Sequence, residues 1–101
     1  MSVIVTVKVP GDTDVFTKSL KERADDYRMI ADRAKKHGAL HHRFGVGDGF
    51  VLIDDEWESA DDFQSFFSDP ELMTFMGAVG ANTNARPEIT VGQSVDSPDK
   101  F

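Results

Sequence analysis

Hydrophobic and polar positions recur with two different periods along this chain, and the changes of period divide it into elements. Over residues 2–9 the period is two: Val3, Val5, Val7 and Val9 point one way, Ile4, Thr6 and Lys8 the other. β-Branched residues in that alternation predict a strand, ended by Pro10-Gly11. A helical period follows. Phe16, Leu20, Tyr27, Ile30, Ala31 and Ala34 make one apolar stripe, so one helix is expected from about Thr13 to about His37. Asp12 or Thr13 can cap its start, and Asp14 suits the positive end of its dipole. Lys35, Lys36 and His37 suit the negative end, and Gly38 is placed as a left-handed terminator.

Two strands are predicted next, at about 39–46 and 50–57, joined through Gly47-Asp48-Gly49. Ser59, with Asp62 three residues on, has the spacing of a capping box. Pro70 interrupts the helix that follows, and Ser68-Asp69-Pro70-Glu71 reads as a new cap. Helical pieces are therefore expected at about 60–67 and 70–79, then a strand at about 88–95. The order βαββαβ predicts an α+β, ferredoxin-like fold, an antiparallel four-stranded sheet with helices on one face. One domain over residues 1–95 and an irregular C-terminal tail at 96–101 are expected.

A two-residue turn at Asp48-Gly49 sets the hairpin register. Val46 then faces Val51, Phe44 faces Ile53, His42 faces Asp55 and Leu40 faces Trp57. This set is largely apolar and should lie against the helices; a slip of one residue would swap the faces. On the other face Gly45 meets Leu52, Arg43 meets Asp54 and His41 meets Glu56, the opposite charges contributing about 0.2–1 kcal/mol per pair. Ile4, Thr6 and Phe50 share that second face. Its mixture of apolar groups and paired charges suits a protein interface, so a homodimer joined sheet to sheet is expected.

Composition narrows the function classes. The formal net charge is −7, and the cations are interleaved with acids, as in Lys18, Lys21, Glu22, Arg23, Asp25 and Asp26. Neither nucleic acid nor an anionic membrane surface is expected as a partner. The absence of cysteine excludes disulfides, thiol nucleophiles and thiolate metal sites. No apolar run approaches the roughly 20 residues of a membrane span, and the first residues lack the pattern of a secretory leader, so a cytoplasmic protein is expected. A chain of 101 residues should bury one core and leave little room for a deep internal cavity.

The candidate chemistry lies on the hairpin. His42 and Asp55 should both project from the apolar, helix-facing side, where the carboxylate would orient and charge the imidazole. Two roles are open to them, a structural hydrogen bond at the rim of the core, the commoner outcome, or a general base for a phenol or an enolisable carbon. Tyr27, Phe44, Trp57, Phe63 and Phe66, with Phe67, Phe75 and Met76, form an aromatic and methionine-rich set. Such sets usually fill a core; this one could also line a flat pocket for a small hydrophobic or aromatic molecule, bounded by the interrupted second helix. His41 and His42 point to opposite faces and make poor joint metal ligands, so no metal site is expected.

The run Asp55-Glu56-Trp57-Glu58-Ser59, followed by Ala60-Asp61-Asp62-Phe63-Gln64-Ser65-Phe66-Phe67-Ser68-Asp69-Pro70, resembles the antibiotic-biosynthesis-monooxygenase-like family of dimeric α/β barrels. The resemblance covers most of the chain in element order. It implies a dimeric α/β barrel and, within a family that holds cofactor-independent oxygenases, haem-degrading enzymes and small cyclases, a monooxygenase acting on a small aromatic compound without a cofactor. Many members carry a histidine in the second helix where this chain has Phe66. The haem-degrading branch requires such a histidine as iron ligand, and none of His37, His41 and His42 lies there, so that chemistry is not expected. The alternative is a non-catalytic dimer that binds a small molecule or a partner protein.

Overall fold

A computed structural model describes residues 2–101. Its elements are β1 (Val3–Pro10), α1 (Thr13–Glu22), α2 (Ala24–Lys36), β2 (Ala39–Gly47), β3 (Phe50–Trp57), α3 (Ala60–Phe67), α4 (Pro70–Ala78) and β4 (Glu88–Gln93). The four strands form one antiparallel sheet of order β2-β3-β1-β4, the ferredoxin-like arrangement. The alternation in β1 decides which face the helices cover: Val5, Val7 and Val9 are buried, while Ile4, Thr6 and Lys8 are exposed. With Trp57, Phe63 and Phe66 these valines form one core cluster; Phe16, Val51 and Val79 form a second.

The expected single long helix is two. It breaks at Arg23, whose backbone leaves helical geometry (φ −123°, ψ 34°) while its N–H still bonds the Ser19 carbonyl at 2.8 Å. Packing requires the break. On a straight helix Phe16 and Tyr27 would stand about 16 Å apart, yet both rings pack against Phe44, at 5.0 and 5.9 Å, and lie 6.4 Å from each other. The bend at Arg23 brings them together.

The hairpin register is as the turn predicts from Gly47 opposite Phe50 through His41 opposite Glu56. Leu40 departs from it: Ala39, not Leu40, faces Trp57, and Leu40 bulges out, 54% exposed. Two anchors cause this. The tight turn fixes one end of the hairpin, and the Gly38 carbonyl, accepting from Glu58 N–H at 2.9 Å, fixes the other. The two anchors differ by one residue, and a bulge at Leu40 takes up the difference. Gly38 itself has φ +108°, the left-handed conformation that ends α2.

β4 stops at Gln93 rather than Val95, because Val3 opposite it is the first residue of β1. At the other end of β1, Gly11 lets the chain pass close to the turn after α4: a Cβ there would lie 2.4 Å from the Gly80 carbonyl oxygen.

Candidate functional site

Alternation along β3 puts Asp55 and Trp57 on the helix-facing side, and the register sets His42 of β2 directly opposite Asp55. The result is a continuous hydrogen-bonded run. Trp57 Nε1–H donates to Asp55 Oδ2 at 3.0 Å, and His42 Nδ1 meets Asp55 Oδ1 at 2.6 Å. A buried indole N–H needs an acceptor, and a buried carboxylate needs donors; each satisfies the other. The Asp55 side chain is 8% exposed and that of His42 40%. A carboxylate accepts, so the proton between the two rests on Nδ1, and Nε2 points away from Asp55.

This run forms part of the wall of a cavity of about 750 Å³ between the inner face of the sheet and the four helices. The expectation that so short a chain leaves little room for a deep internal cavity did not foresee this half-open space between sheet and helices. The physical reason lies in the aromatic residues: the helices meet the sheet and one another through large rings, such as Tyr27 edge-on to Phe44 at 5.9 Å and to Phe75 at 5.1 Å. Rings of this size hold the helices off the strands. The volume falls within the range of small-molecule sites, roughly 300–1,000 Å³.

His42, Asp55, Tyr27, Phe44, Trp57, Phe63 and Phe66 all line this one space. Phe44 packs edge-on to the His42 ring at 4.6 Å, and Phe66 tilts against Trp57 at 5.4 Å.

One residue of the site escaped the sequence reading. Ser19 is buried in α1, and its hydroxyl bonds both the Phe16 carbonyl (2.5 Å) and Tyr27 Oη (2.7 Å). The available signal was its place three residues after Phe16, on the same helical stripe. Burial pushes the Tyr27 phenol above its ordinary ionisation range.

On the outer face Arg43 Nε bonds Asp54 Oδ2 across the strands at 3.0 Å. Glu56 stands opposite His41, but its carboxylate accepts from Ser2 Oγ at 2.5 Å. Among the described residues no three His, Asp or Glu side chains converge in a group that could hold a metal ion, and no helix is long and apolar enough to cross a membrane.

No family model and no curated protein matches this sequence. Solved structures do. A monooxygenase from the gene ActVA-Orf6 of Streptomyces coelicolor, in complex with nanaomycin D, matches with a TM-score of 0.66 at 14% identity, over 99% of this chain and 93% of that one. SnoaB, a cofactor-independent oxygenase from Streptomyces nogalater, matches with a TM-score of 0.57 at 11% identity, over 98% of both chains. The chain has the fold of the antibiotic biosynthesis monooxygenases. A dimeric ferredoxin-like protein from an uncultured marine organism shares this monooxygenase-like fold, with a TM-score of 0.63 at 14% identity, over 99% of this chain and 93% of that one.

Proposed function

We propose that this protein is a cofactor-independent oxygenase of a flat, hydrophobic compound bearing a phenol or an enolisable carbon. The observation that carries the proposal is the run Trp57–Asp55–His42 set into the wall of an otherwise largely apolar cavity. His42 Nε2 is the general base, Asp55 orients the imidazole and stabilises the cation it becomes, and Tyr27, Phe44, Trp57, Phe63 and Phe66 form the walls. Once deprotonated, the substrate gives an electron to dioxygen, and the radical pair joins at carbon as a peroxide. For a CH₂ group held between aryl rings, loss of water then leaves a carbonyl. One atom of the dioxygen is in that carbonyl and the other in water, with the two hydrogens of the CH₂. Two structures of the same fold are described as a monooxygenase and as a cofactor-independent oxygenase, which supports the reading.

We also propose that the protein acts in the cytoplasm as a homodimer, with the outer sheet face of one copy against that of the other. Ile4 and Leu52 are exposed on that face, Lys8 Nζ sits 4.4 Å over the ring of Phe50, and a protein of the same fold is described as dimeric.

The test is oxygen uptake with an anthrone as substrate, comparing the natural chain with His42→Ala. Loss of about 10²–10⁴-fold in rate is expected for removal of a general base; an unchanged rate would remove His42 from the mechanism. The apolar lining, with Phe66 on α3, favours as second reading a non-catalytic binding protein. It predicts a bound aromatic molecule in native mass spectrometry and no oxygen uptake.

A further inference from the structure

A second, smaller space adjoins the cavity. It is a cleft of about 170 Å³ between α2 and α4, and Ile30, Phe66, Leu72 and Phe75 line both it and the cavity. These four side chains are the partition between the two. Each ring in it touches an aromatic of the cavity and an arginine of the cleft. Phe75 meets Tyr27 edge-on at 5.1 Å, and the Arg23 guanidinium carbon lies 4.6 Å from its ring centroid. Phe66 tilts against Trp57 at 5.4 Å, and the Arg33 guanidinium carbon lies 6.0 Å from its ring centroid. Tyr27 and Trp57 line only the cavity, Arg23 and Arg33 only the cleft.

The partition is unevenly supported. Phe66 is buried in the main core cluster, and Ile30 packs against that cluster. Leu72 and Phe75 belong to α4, of whose residues none is fully buried. Two arginines hold α4 towards α2: Arg23 lies on the Phe75 ring, and Arg33 pairs with Asp69 and, at 3.7 Å, with Glu71. Asp26 holds Arg23 in turn, at 2.9 Å. Both arginines are 41% exposed, and contacts of this kind near water hold weakly.

We infer that Leu72 and Phe75 are the leaf of a gate, latched by Arg23 and Arg33, through which a small apolar molecule passes between the cleft and the cavity. The inference rests on the reading of this cavity as a small-molecule site and concerns the regulation of access to it. The cavity also opens along β2, where Leu40 and His41 of its lining are exposed. In the proposed reaction, a substrate seated in that opening leaves the gate as the route by which dioxygen reaches it.

Stopped-flow binding of 1-nitronaphthalene tests it, read by quenching of Trp57, the only tryptophan and part of the cavity wall. A latch and a ligand contact leave different signatures. Loosening a latch makes the open form commoner in the free and the bound protein alike, so association and dissociation speed up together and Kd stays put. Arg23→Met should raise both rates about two- to fivefold, the factor that an exposed cation–π contact sets, and move Kd by less than about twofold. The double variant Arg23→Met, Arg33→Met should raise both rates further. On the natural protein, raising NaCl from about 0.05 M to about 0.5 M screens the Arg33 pairs and should also raise both rates, a measurement that needs no variant to fold. Rates unchanged by either replacement and by salt, or a rise in dissociation alone with a weaker Kd, overturn the gate and leave the small-molecule reading standing. Failure of the natural protein to bind the probe overturns both.

Discussion

Trp57 and His42 hold the two oxygens of one carboxylate: the indole N–H reaches Asp55 Oδ2 at 3.0 Å, and the imidazole Nδ1 reaches Oδ1 at 2.6 Å. Asp55→Asn keeps the shape but not the polarity of this arrangement. An amide NH₂ facing His42 moves the imidazole proton to Nε2, where no base remains. Turnover in the oxygen-uptake assay should fall about 10²–10⁴-fold, and imidazole nitrogen chemical shifts should report the changed tautomer. Full activity in Asp55→Asn would show that Asp55 does not set the state of His42.

The same carboxylate contributes to stability. Trp57→Phe leaves one Asp55 oxygen without its donor in a buried place and should cost about 1–3 kcal/mol. Phe63→Ala, in the same cluster, should cost about 3–5 kcal/mol. Leu40→Ser, on the exposed bulge, should stay within about 0.5 kcal/mol. Urea unfolding of the three variants checks the order, and a large loss at Leu40 would contradict the bulge.

Tyr27 is the only tyrosine, so near-UV absorbance on raising the pH reads its phenol alone. Its midpoint should lie above the ordinary value of 10.0, because burial disfavours the phenolate. The folded chain then retains the proton at pH values where the unfolded chain has lost it. This contribution to stability is present below the unfolded midpoint and is lost as pH rises above it. A midpoint at or below that of the protein in denaturant would refute the burial argument.

α4 roofs part of the cavity and is tied down at its start. Asp69 caps it, accepting from Glu71 N–H at 3.0 Å, and also pairs with Arg33 of α2. Asp69→Ala should cost about 1 kcal/mol through the cap and accelerate amide hydrogen exchange in 70–78 more than in the hairpin. Uniform acceleration would show that α4 does not open by itself.

The strand alternation and the Asp48-Gly49 turn made the sheet and the pairing of His42 with Asp55 legible in the sequence, because both are local. The break at Arg23 and the bulge at Leu40 were not. Each answers to contacts distant in sequence: Phe16 and Tyr27 both packing against Phe44 of β2, and the hairpin turn disagreeing by one residue with the Gly38–Glu58 bond. The cavity was hidden for a related reason. Tyr27, Phe44 and Phe75 belong to a set that usually fills a core, and only the folded chain shows that they also line a space. Ser19 was hidden because a serine in a helix shows its partner only once Tyr27 is beside it.

The bulge sits at the edge of β2, two residues before His42. Everything that makes the base, His42, Asp55 and Trp57, belongs to one hairpin, whereas Tyr27, Phe63, Phe66 and Phe75 come from three different helices. Reactivity and selectivity thus reside in separable parts of the chain. Substitutions in the helices can reshape what enters the cavity while leaving the hairpin's proton chemistry intact, so this architecture can acquire a new ligand without having to rebuild its base.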